Sequence, residues 1–160
     1  MNQKDLNEYL RLSKTAERTR FLIEAGADVN ATDYYGSTAL MNAKSVEQVK
    51  LLDEAGADVN IVDKDGNKAI HLCRDNLEKM KYLIRMGADI EAVDENGRCP
   101  IHIACEYGYY DILRFLIEEA GVDPTVKDSR GHDAFYYSTR FPSRYSTRLQ
   151  EIIAPYRVGF

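Results

Sequence analysis

A short phrase, Gly-Ala-Asp followed by an aliphatic residue, recurs along this chain of 160 residues and constrains its fold more than any other feature. It begins at Gly26, Gly56 and Gly87, and a looser copy begins at Gly121, so the steps are 30, 31 and 34 residues. A period in this range is typical of repeat proteins, whose units cannot bury an apolar face alone and therefore stack on their neighbours. We expect a row of similar units rather than one mixed core.

A second phrase, D-x-x-G, keeps the same phase and starts at Asp33, Asp63, Asp94 and Asp128. The aspartate side chain can accept hydrogen bonds from backbone N–H groups ahead of it, and the glycine tolerates a positive φ, so each copy predicts a tight turn. The glycine of the first phrase follows an apolar run, where it supplies the left-handed residue that ends a helix.

Two short helices are predicted between each turn and the next helix-ending glycine. Pro100 suits the first turn of a helix, and Ser45 with Gln48 resembles a capping box at the start of another. The run before Gly121 matches the run before Gly26 except for one inserted glutamate. The first helices are predicted at 39–44, 69–74 and 100–107, and the second helices at 46–55, 77–86 and 110–120.

The chain resembles the ankyrin-repeat family. Residues 99–104 read C-P-I-H-I-A, which is similar to the family signature T-P-L-H-x-A, and residues 69–72 read A-I-H-L, a looser copy. The resemblance covers residues 3 to about 140 and implies an all-α solenoid, an ankyrin-repeat stack of helix pairs joined by β-hairpin-like turns, with about five units including both caps. The implied units are an N-terminal cap at 1–32, repeats at 33–62, 63–93 and 94–127, and a diverged C-terminal cap with a tail at 128–160.

Three departures from the family pattern stand out. The first two repeats are shorter than the usual length of about 33 residues, and the loss falls between their helices. Asn42 occupies a place that is usually apolar and that holds Leu72 and Ile103 in the next repeats. Beyond Gly131 the pattern is lost.

The charge distribution favours a protein partner. The net charge is −5: residues 1–124 hold 15 Lys and Arg against 23 Asp and Glu, whereas residues 125–160 hold 6 against 3. An acidic body repels phosphate backbones, which argues against nucleic acid, and it attracts a partner with a basic surface.

The chain carries no sign of a membrane or an oxidising compartment. No apolar run approaches the roughly 18 residues of a membrane span, and the first residues lack the apolar core of a signal peptide. Cys73, Cys99 and Cys105 are odd in number and lie in predicted helices, which indicates reduced thiols. We expect a cytoplasmic protein, or one in a host cytosol if it is a secreted or viral effector.

His71 and His102 stand at the same place in adjacent repeats, and with the cysteines they raise the alternative of a metal-dependent enzyme or small-ligand sensor. No C-x-x-C or H-x-x-x-H spacing supports a metal site. The resemblance implies that these histidines bond backbone groups of the turns, so we expect no metal, no cofactor and no catalysis. The same interpretation assigns structural roles to the four helix-ending glycines.

Tyr34 and Tyr35 are the strongest candidates for partner contact, because aromatic residues at a turn tip have no evident folding role. Tyrosine forms large, stiff anchors at interfaces. The alternative is that one of them folds back over the neighbouring turn. The resemblance implies that turn tips and first helices line a concave groove, which adds further residues to the partner-binding set. These are Lys64, Asp65, Asn67, Glu95, Asn96, Arg98, Glu106, Tyr107, Ser129, Arg130 and His132.

Residues 134–160 hold seven of the sixteen aromatic residues together with four arginines. We interpret this segment as a structural cap built on Leu149, Ile152 and Ile153, and an additional contact role stays open. The implied function is a monomeric, non-catalytic protein-interaction module that blocks or tethers a partner. Examples are a toxin-neutralising immunity protein and a host-directed effector or inhibitor; a purely structural scaffold is the remaining alternative.

Overall fold

The computed structural model describes residues 2–140 and 143–156, with the side chains of residues 143–146 excepted, and every regular element in this part is helical. Phe141, Phe160 and the side chain of Tyr145, which belong to the aromatic residues of the C-terminal segment, lie outside that description. The chain forms two compact units. One comprises Met1–Cys73 with Glu78–Asp89, and the other comprises Arg74–Leu77 with Ile90–Phe160.

The first unit is built from successive helix pairs. Helix α2 packs on α1 and on α4, and α3 packs on the following 3₁₀ turn, so corresponding helices of consecutive repeats lie side by side. Leu22, Val49, Leu52 and Leu83 are buried in this unit, and burial of each such side chain contributes roughly 1.5–3 kcal/mol to the free energy of folding. The elements are α1 (Gln3–Arg11), α2 (Ala16–Glu24), α3 (Ala39–Asn42), α4 (Val46–Glu54), the 3₁₀ turn (Ala69–Leu72) and α5 (Leu77–Arg85).

The D-x-x-G turns of this unit have the predicted geometry. Asp33 Oδ1 accepts hydrogen bonds from the N–H groups of Tyr35 and Ser37 at 2.8 and 2.9 Å. Asp63 Oδ1 accepts equivalent bonds within its own turn. The N–H of Lys64 then donates to the carbonyl of Tyr35 at 2.8 Å, which joins the two turns through their backbones.

Asparagine side chains join the same repeats at the phrase that contains the helix-ending glycine. Asn30 Oδ1 accepts from the N–H of Asp58 at 2.8 Å, and Asn30 Nδ2 donates to the carbonyl of Gly56 at 3.0 Å. Asn7 of α1 makes the equivalent bond earlier in the chain, where its Oδ1 atom accepts from the N–H of Asp28 at 2.8 Å. Asn30, the asparagine of the first copy of the phrase, therefore links its unit to the next one.

Two buried polar side chains at the third position of α4 and α5 brace the short connections between helices. Gln48 donates from Nε2 to the carbonyl of Ser13 at 3.1 Å. Lys79 donates from Nζ to the carbonyls of Ala43 and Leu72 at 2.7 and 3.4 Å. These bonds satisfy carbonyl groups at helix ends and give a physical reason why the first two repeats fold with shortened loops.

The predicted capping box at Ser45 forms only in part. Ser45 Oγ accepts from the N–H of Gln48 at 3.3 Å, as expected. The side chain of Gln48, however, accepts from the N–H of Lys44 at 2.9 Å rather than from that of Ser45. The bracing role of Gln48 fixes its amide in this position.

The second unit contains two helix pairs. Helix α6 packs on α8, and α7 packs on α9, around the buried side chains of Ile101, Leu113 and Leu149. The segment beyond Gly131 therefore folds as a helix pair although the sequence pattern is lost there. The elements are α6 (Pro100–Tyr107), α7 (Tyr110–Arg114) continuing as a π turn (Phe115–Glu119), α8 (Ala134–Thr139), α9 (Ser143–Ile153) and a 3₁₀ turn (Ala154–Tyr156).

The π turn absorbs the inserted glutamate of the third repeat. The N–H of Ala120 donates to the carbonyl of Phe115 at 2.9 Å, a span of five residues instead of four. The widened turn leaves Leu116 and Ile117 buried, and Gly121 still follows it at positive φ. One residue is thus added to the helix without changing its apolar face.

Asn42, the unexplained polar residue, is exposed, whereas Leu72 and Ile103 at the equivalent positions are half-buried. The position lies at the edge of the core, and an amide is tolerated there without a buried partner. None of the helices in the described residues is both long enough and apolar enough to cross a lipid bilayer.

The turn at Gly97 offers a test of the turn-to-turn contact in the second unit. The N–H of Ser129 donates to the carbonyl of Asn96 at 3.0 Å, and a Cβ atom at Gly97 would meet the backbone and hydroxyl of Ser129. Gly131 has a similar positive φ but open space around it. We expect Gly97→Ala to lower the free energy of unfolding by about 2–3 kcal/mol, and Gly131→Ala by about 1 kcal/mol, since only the first adds a clash.

Urea denaturation of both variants measures the difference. Equal losses for Gly97→Ala and Gly131→Ala would show that the close approach of the two turns contributes nothing beyond the strain of the positive φ.

Candidate partner-binding surface

Tyr34 and Tyr35 project from the first turn of the first unit with 78% and 68% of their surface exposed. Their rings lie edge to face, with centroids 5.3 Å apart and planes at 86°. Neither ring folds back to become buried. Instead, Lys64 of the next turn places its Nζ atom 3.5 Å from the centroid of the Tyr34 ring, a cation–π contact that holds the ring from one side.

The remaining candidates of the first unit differ in accessibility. Lys64 and Asp65 are exposed beside the tyrosines. Asn67 is half-buried, and its Nδ2 atom donates to Asp63 Oδ2 at 3.1 Å, so its amide serves its own turn. Lys64 and Asp65 therefore extend the exposed surface of Tyr34 and Tyr35, whereas Asn67 stabilises the turn that carries Lys64 and Asp65.

An open groove of about 510 Å³ lies beside Tyr34, between helix α1 and residues 31–34. Its helical wall is formed by the polar stripe Lys4, Asn7, Glu8 and Arg11. These residues were not predicted from the sequence, because α1 carries neither of the repeated phrases. Their i, i+3, i+4, i+7 spacing is the signal that could have found them.

In the second unit, Arg98 joins a turn to the first helix of its repeat. Its Nη2 atom lies 2.8 Å from Asp94 Oδ2, and its Nη1 atom lies 2.6 Å from Glu106 Oε2. Asp94 is buried and Glu106 is half-buried, so the guanidinium bridges two carboxylates at the surface. This arrangement brings Arg98 and Glu106 of the predicted set together and leaves an excess of negative charge around them.

Asp128 organises the last turn of the second unit. Its Oδ1 atom accepts from the N–H groups of Arg130 and His132, both at 2.8 Å, and its Oδ2 atom accepts from the hydroxyl of Tyr137 at 2.6 Å. Burial alone would raise the pKa of Asp128, but these hydrogen bonds outweigh it and lower the pKa to about 2. Burial and the adjacent Asp128 carboxylate raise the pKa of Tyr137. Asp128 is therefore ionised near neutral pH.

The other candidates of the second unit differ in accessibility. Glu95, Tyr107, Ser129 and Arg130 are exposed, and Asn96 is half-buried. His132 is half-buried too, and its ring stacks on that of Tyr136 with centroids 3.6 Å apart and planes at 4°. The ring of Tyr107 stacks on that of Tyr109 at 5.8 Å.

The two histidines proposed for chemistry are engaged with the backbone. His102 Nδ1 accepts from the N–H of Cys99 at 3.1 Å, and its Nε2 atom lies 3.0 Å from the carbonyl of Val126, to which the neutral Nε2–H tautomer donates. Burial lowers the pKa of His102, which favours that neutral form. His71 Nδ1 likewise accepts from the N–H of Lys68 at 3.0 Å.

The three thiols are buried, and this disfavours the reactive thiolate. Burial raises the pKa of Cys73 to about 12 and raises the pKa values of Cys99 and Cys105 as well. Cys99 Sγ lies 3.2 Å from His102 Nδ1, but that nitrogen already accepts from a backbone N–H group. Across residues 2–140 and the described part of α9, no cluster of three or more His, Cys, Asp or Glu could hold a metal ion.

A family model described as ankyrin repeats, in three copies, matches residues 42–128. A comparison with curated proteins finds no match to the chain. The family match and the helix pairs of the described residues confirm the predicted all-helical repeat fold.

Proposed function

Because the chain belongs to the ankyrin-repeat family, whose repeats generally mediate protein–protein interaction, we propose that it is a non-catalytic module that binds and blocks or tethers one partner protein. The binding surface comprises the turn tips and the first helices. The observation that carries this proposal is the exposure of Tyr34 and Tyr35 on a turn whose backbone is fixed by Asp33.

The energetics of this turn favour binding. Tyrosine side chains bury large areas at interfaces and lose few rotamers when they do so. The turn beneath them is already fixed by the Asp33 bonds and by the Lys64 N–H bond to the carbonyl of Tyr35. Little conformational entropy is therefore lost on association, and more of the contact energy remains as affinity.

The charge of the chain and its free thiols support a more specific proposal for the partner, the location and the role of the protein. The net charge of −5, with exposed Glu95 and half-buried Glu106 at the surface of the second unit, supports a partner with a basic surface and fast electrostatic association. We assign the protein a monomeric state and a cytosolic location, in keeping with its free thiols. An antidote that neutralises a toxin and an effector that inhibits a host protein both fit this description.

The proposal excludes an enzyme or a metal-dependent sensor built on the histidines and cysteines. Buried thiols of raised pKa and a neutral, backbone-bonded His102 support this exclusion. Metal analysis and thiol titration of the purified protein test it. Stoichiometric zinc or one rapidly reactive cysteine would contradict it.

The central experiment removes the tyrosines. We expect the double variant Tyr34→Ala, Tyr35→Ala to bind a partner isolated with the native protein at least roughly a hundredfold more weakly, since interface tyrosines often contribute 2 kcal/mol or more each. Isothermal titration calorimetry measures the affinity, and thermal unfolding confirms that the variant folds.

Phe21 supplies a matched control, because it is an aromatic residue of α2 with 61% exposure and lies outside the proposed surface. Phe21→Ala should leave the affinity within about twofold of that of the native protein. A greater loss of affinity for Phe21→Ala than for the tyrosine variant would contradict the proposal and indicate that the partner binds the second helices.

A further inference from the structure

The sequence contains a single Asn-Gly pair, Asn96-Gly97, and it lies in the turn that begins at Asp94. An asparagine side chain can be attacked by the backbone nitrogen of the following residue, and glycine hinders that attack least because it has no Cβ atom. Asn96 is half-buried, so water has access to it, and none of the described residues forms a hydrogen bond with its side-chain amide. The pair therefore has the chemistry of a spontaneous deamidation site.

The peptide group between Asn96 and Gly97 is held from both sides. Its carbonyl oxygen accepts a hydrogen bond from the N–H of Ser129 at 3.0 Å, and its N–H donates to the carbonyl of Asp94 at 2.9 Å. The N–H of Asn96 is held as well, since it donates to Asp94 Oδ1 at 2.9 Å. The nitrogen that would attack the side chain thus belongs to a peptide group whose donor and acceptor are both engaged.

Deamidation requires this peptide group to rotate. For the Gly97 nitrogen to approach the side-chain carbonyl carbon of Asn96, rotation about the Cα–C bond of Asn96 must move the planar peptide group as one piece. That rotation breaks the bond from Ser129 together with the bond to Asp94, so it needs a local opening of the contact between the two turns. The closed contact therefore restrains the reaction.

The corresponding peptide group of the first unit, between Tyr35 and Gly36, is held in the same way. Its carbonyl accepts from the N–H of Lys64 at 2.8 Å, and its N–H donates to the carbonyl of Asp33 at 3.0 Å. The restraint is thus a feature that both units share, and only in the second unit does it act on an asparagine.

From this geometry we infer that Asn96 is a latent modification site, which deamidates when the contact between the two turns opens. The Gly97 nitrogen gives up its proton to water or hydroxide and bonds to the side-chain carbonyl carbon of Asn96, and the amide nitrogen leaves as ammonia. Water then opens the resulting cyclic imide. Cleavage of its bond to the side-chain carbonyl leaves aspartate, whereas cleavage of its bond to the main-chain carbonyl leaves isoaspartate, in which the backbone runs through the β-carbon.

The isoaspartate product makes the opening irreversible. Its additional backbone carbon moves the carbonyl next to Gly97 away from the N–H of Ser129, so the bond that joined the turns cannot form again. Both products also add a negative charge to a turn that already holds Asp94 and Glu95. The inference does not depend on a partner, so its failure would leave the proposed function intact.

Ser129→Pro tests the restraint, because proline lacks the N–H group that donates to Asn96. Ser129 is the second residue of its own turn, a place where proline is favoured, so the turn itself is expected to form. Ser129→Ala is the matched control, since it keeps the N–H group and loses only the hydroxyl. We expect deamidation of Asn96 to be about fivefold faster in Ser129→Pro than in the native chain, and unchanged in Ser129→Ala.

Peptide mapping measures these rates. Each folded protein is incubated at mildly alkaline pH and digested at acidic pH, and mass spectrometry coupled to chromatography separates peptides with asparagine, aspartate and isoaspartate at position 96. The same proteins in concentrated urea give the rate of the unfolded chain, which should be the highest and should not depend on the residue at position 129. Thermal unfolding confirms that each variant is folded without urea.

Three results would overturn the inference. The first is a folded native chain that deamidates at Asn96 as fast as the unfolded chain, a comparison that holds even if Ser129→Pro does not fold. The second is an equal rate in folded Ser129→Pro and Ser129→Ala. The third is an unfolded chain in which Asn96 reacts no faster than the asparagines that precede larger residues, which are Asn30, Asn60 and Asn76.

Discussion

Replacing Lys79 with alanine is expected to lower the free energy of unfolding by about 3–4 kcal/mol. The side chain is only 2% exposed, and its Nζ atom donates to the carbonyls of Ala43, Leu72 and Met41 at 2.7, 3.4 and 3.5 Å. Alanine removes these donors and leaves buried carbonyl groups at helix ends without them. Urea denaturation, followed by far-UV circular dichroism, gives the loss of stability.

Two further variants give this prediction its controls. Lys50→Ala changes a lysine of α4 whose side chain is 45% exposed and pairs with exposed Glu47, so it should cost less than about 0.5 kcal/mol. Lys79→Gln should lose less stability than Lys79→Ala. Gln48, at the equivalent position of α4, shows that an amide can donate to such a carbonyl. A Lys79→Ala protein within about 1 kcal/mol of the native stability would disprove the bracing role.

Asp128→Ala is the second large effect, and we expect a loss of about 3 kcal/mol at neutral pH. The substitution leaves three donors without their acceptor: the N–H groups of Arg130 and His132 and the hydroxyl of Tyr137. Asp123→Ala is the control, because Asp123 is exposed and its side chain accepts two bonds from Thr125, so the loss of stability should be near 1 kcal/mol or less.

The Asp128 effect should depend on pH in a defined direction. The folded protein holds the pKa of Asp128 at about 2, below the ordinary value of 3.8, so ionisation of this carboxyl stabilises the folded state. This contribution is fully present above about pH 4 and is lost as the pH falls through about 2. The stability difference between the native protein and Asp128→Ala should shrink over that interval. A difference that stays constant from pH 5 to 2 would contradict the assignment.

Local features of the fold were predictable from the sequence because local interactions produce them. An aspartate can accept from the N–H groups two and four residues ahead, so D-x-x-G identified each turn, and all four turns form these bonds. The helix-ending glycines have positive φ because a residue without a Cβ atom adopts this conformation at low steric cost. The exposure of Tyr34 and Tyr35 follows from their place at a turn tip.

Features that depend on distant partners were not predictable. The carbonyl of Ala43 that accepts from Lys79 lies 36 residues away in the chain, and the carbonyl of Ser13 that accepts from Gln48 lies 35 residues away, so the sequence around either residue does not indicate these buried bonds. The last helix pair forms despite the lost pattern, because Leu149 and Ile153 supply a buried face. The groove beside Tyr34 was not predicted, because it lies between a turn and α1, a helix that carries no repeat motif.

Site-specific photocrosslinking tests most directly whether the turn tips bind the partner. A benzophenone amino acid is placed at position 34 or, as the control, at position 21, and the protein is irradiated in complex with its partner. Binding through the turn tips gives a covalent adduct with the partner from position 34 and none from position 21. An adduct from position 21 with none from position 34 would contradict binding through the turn tips.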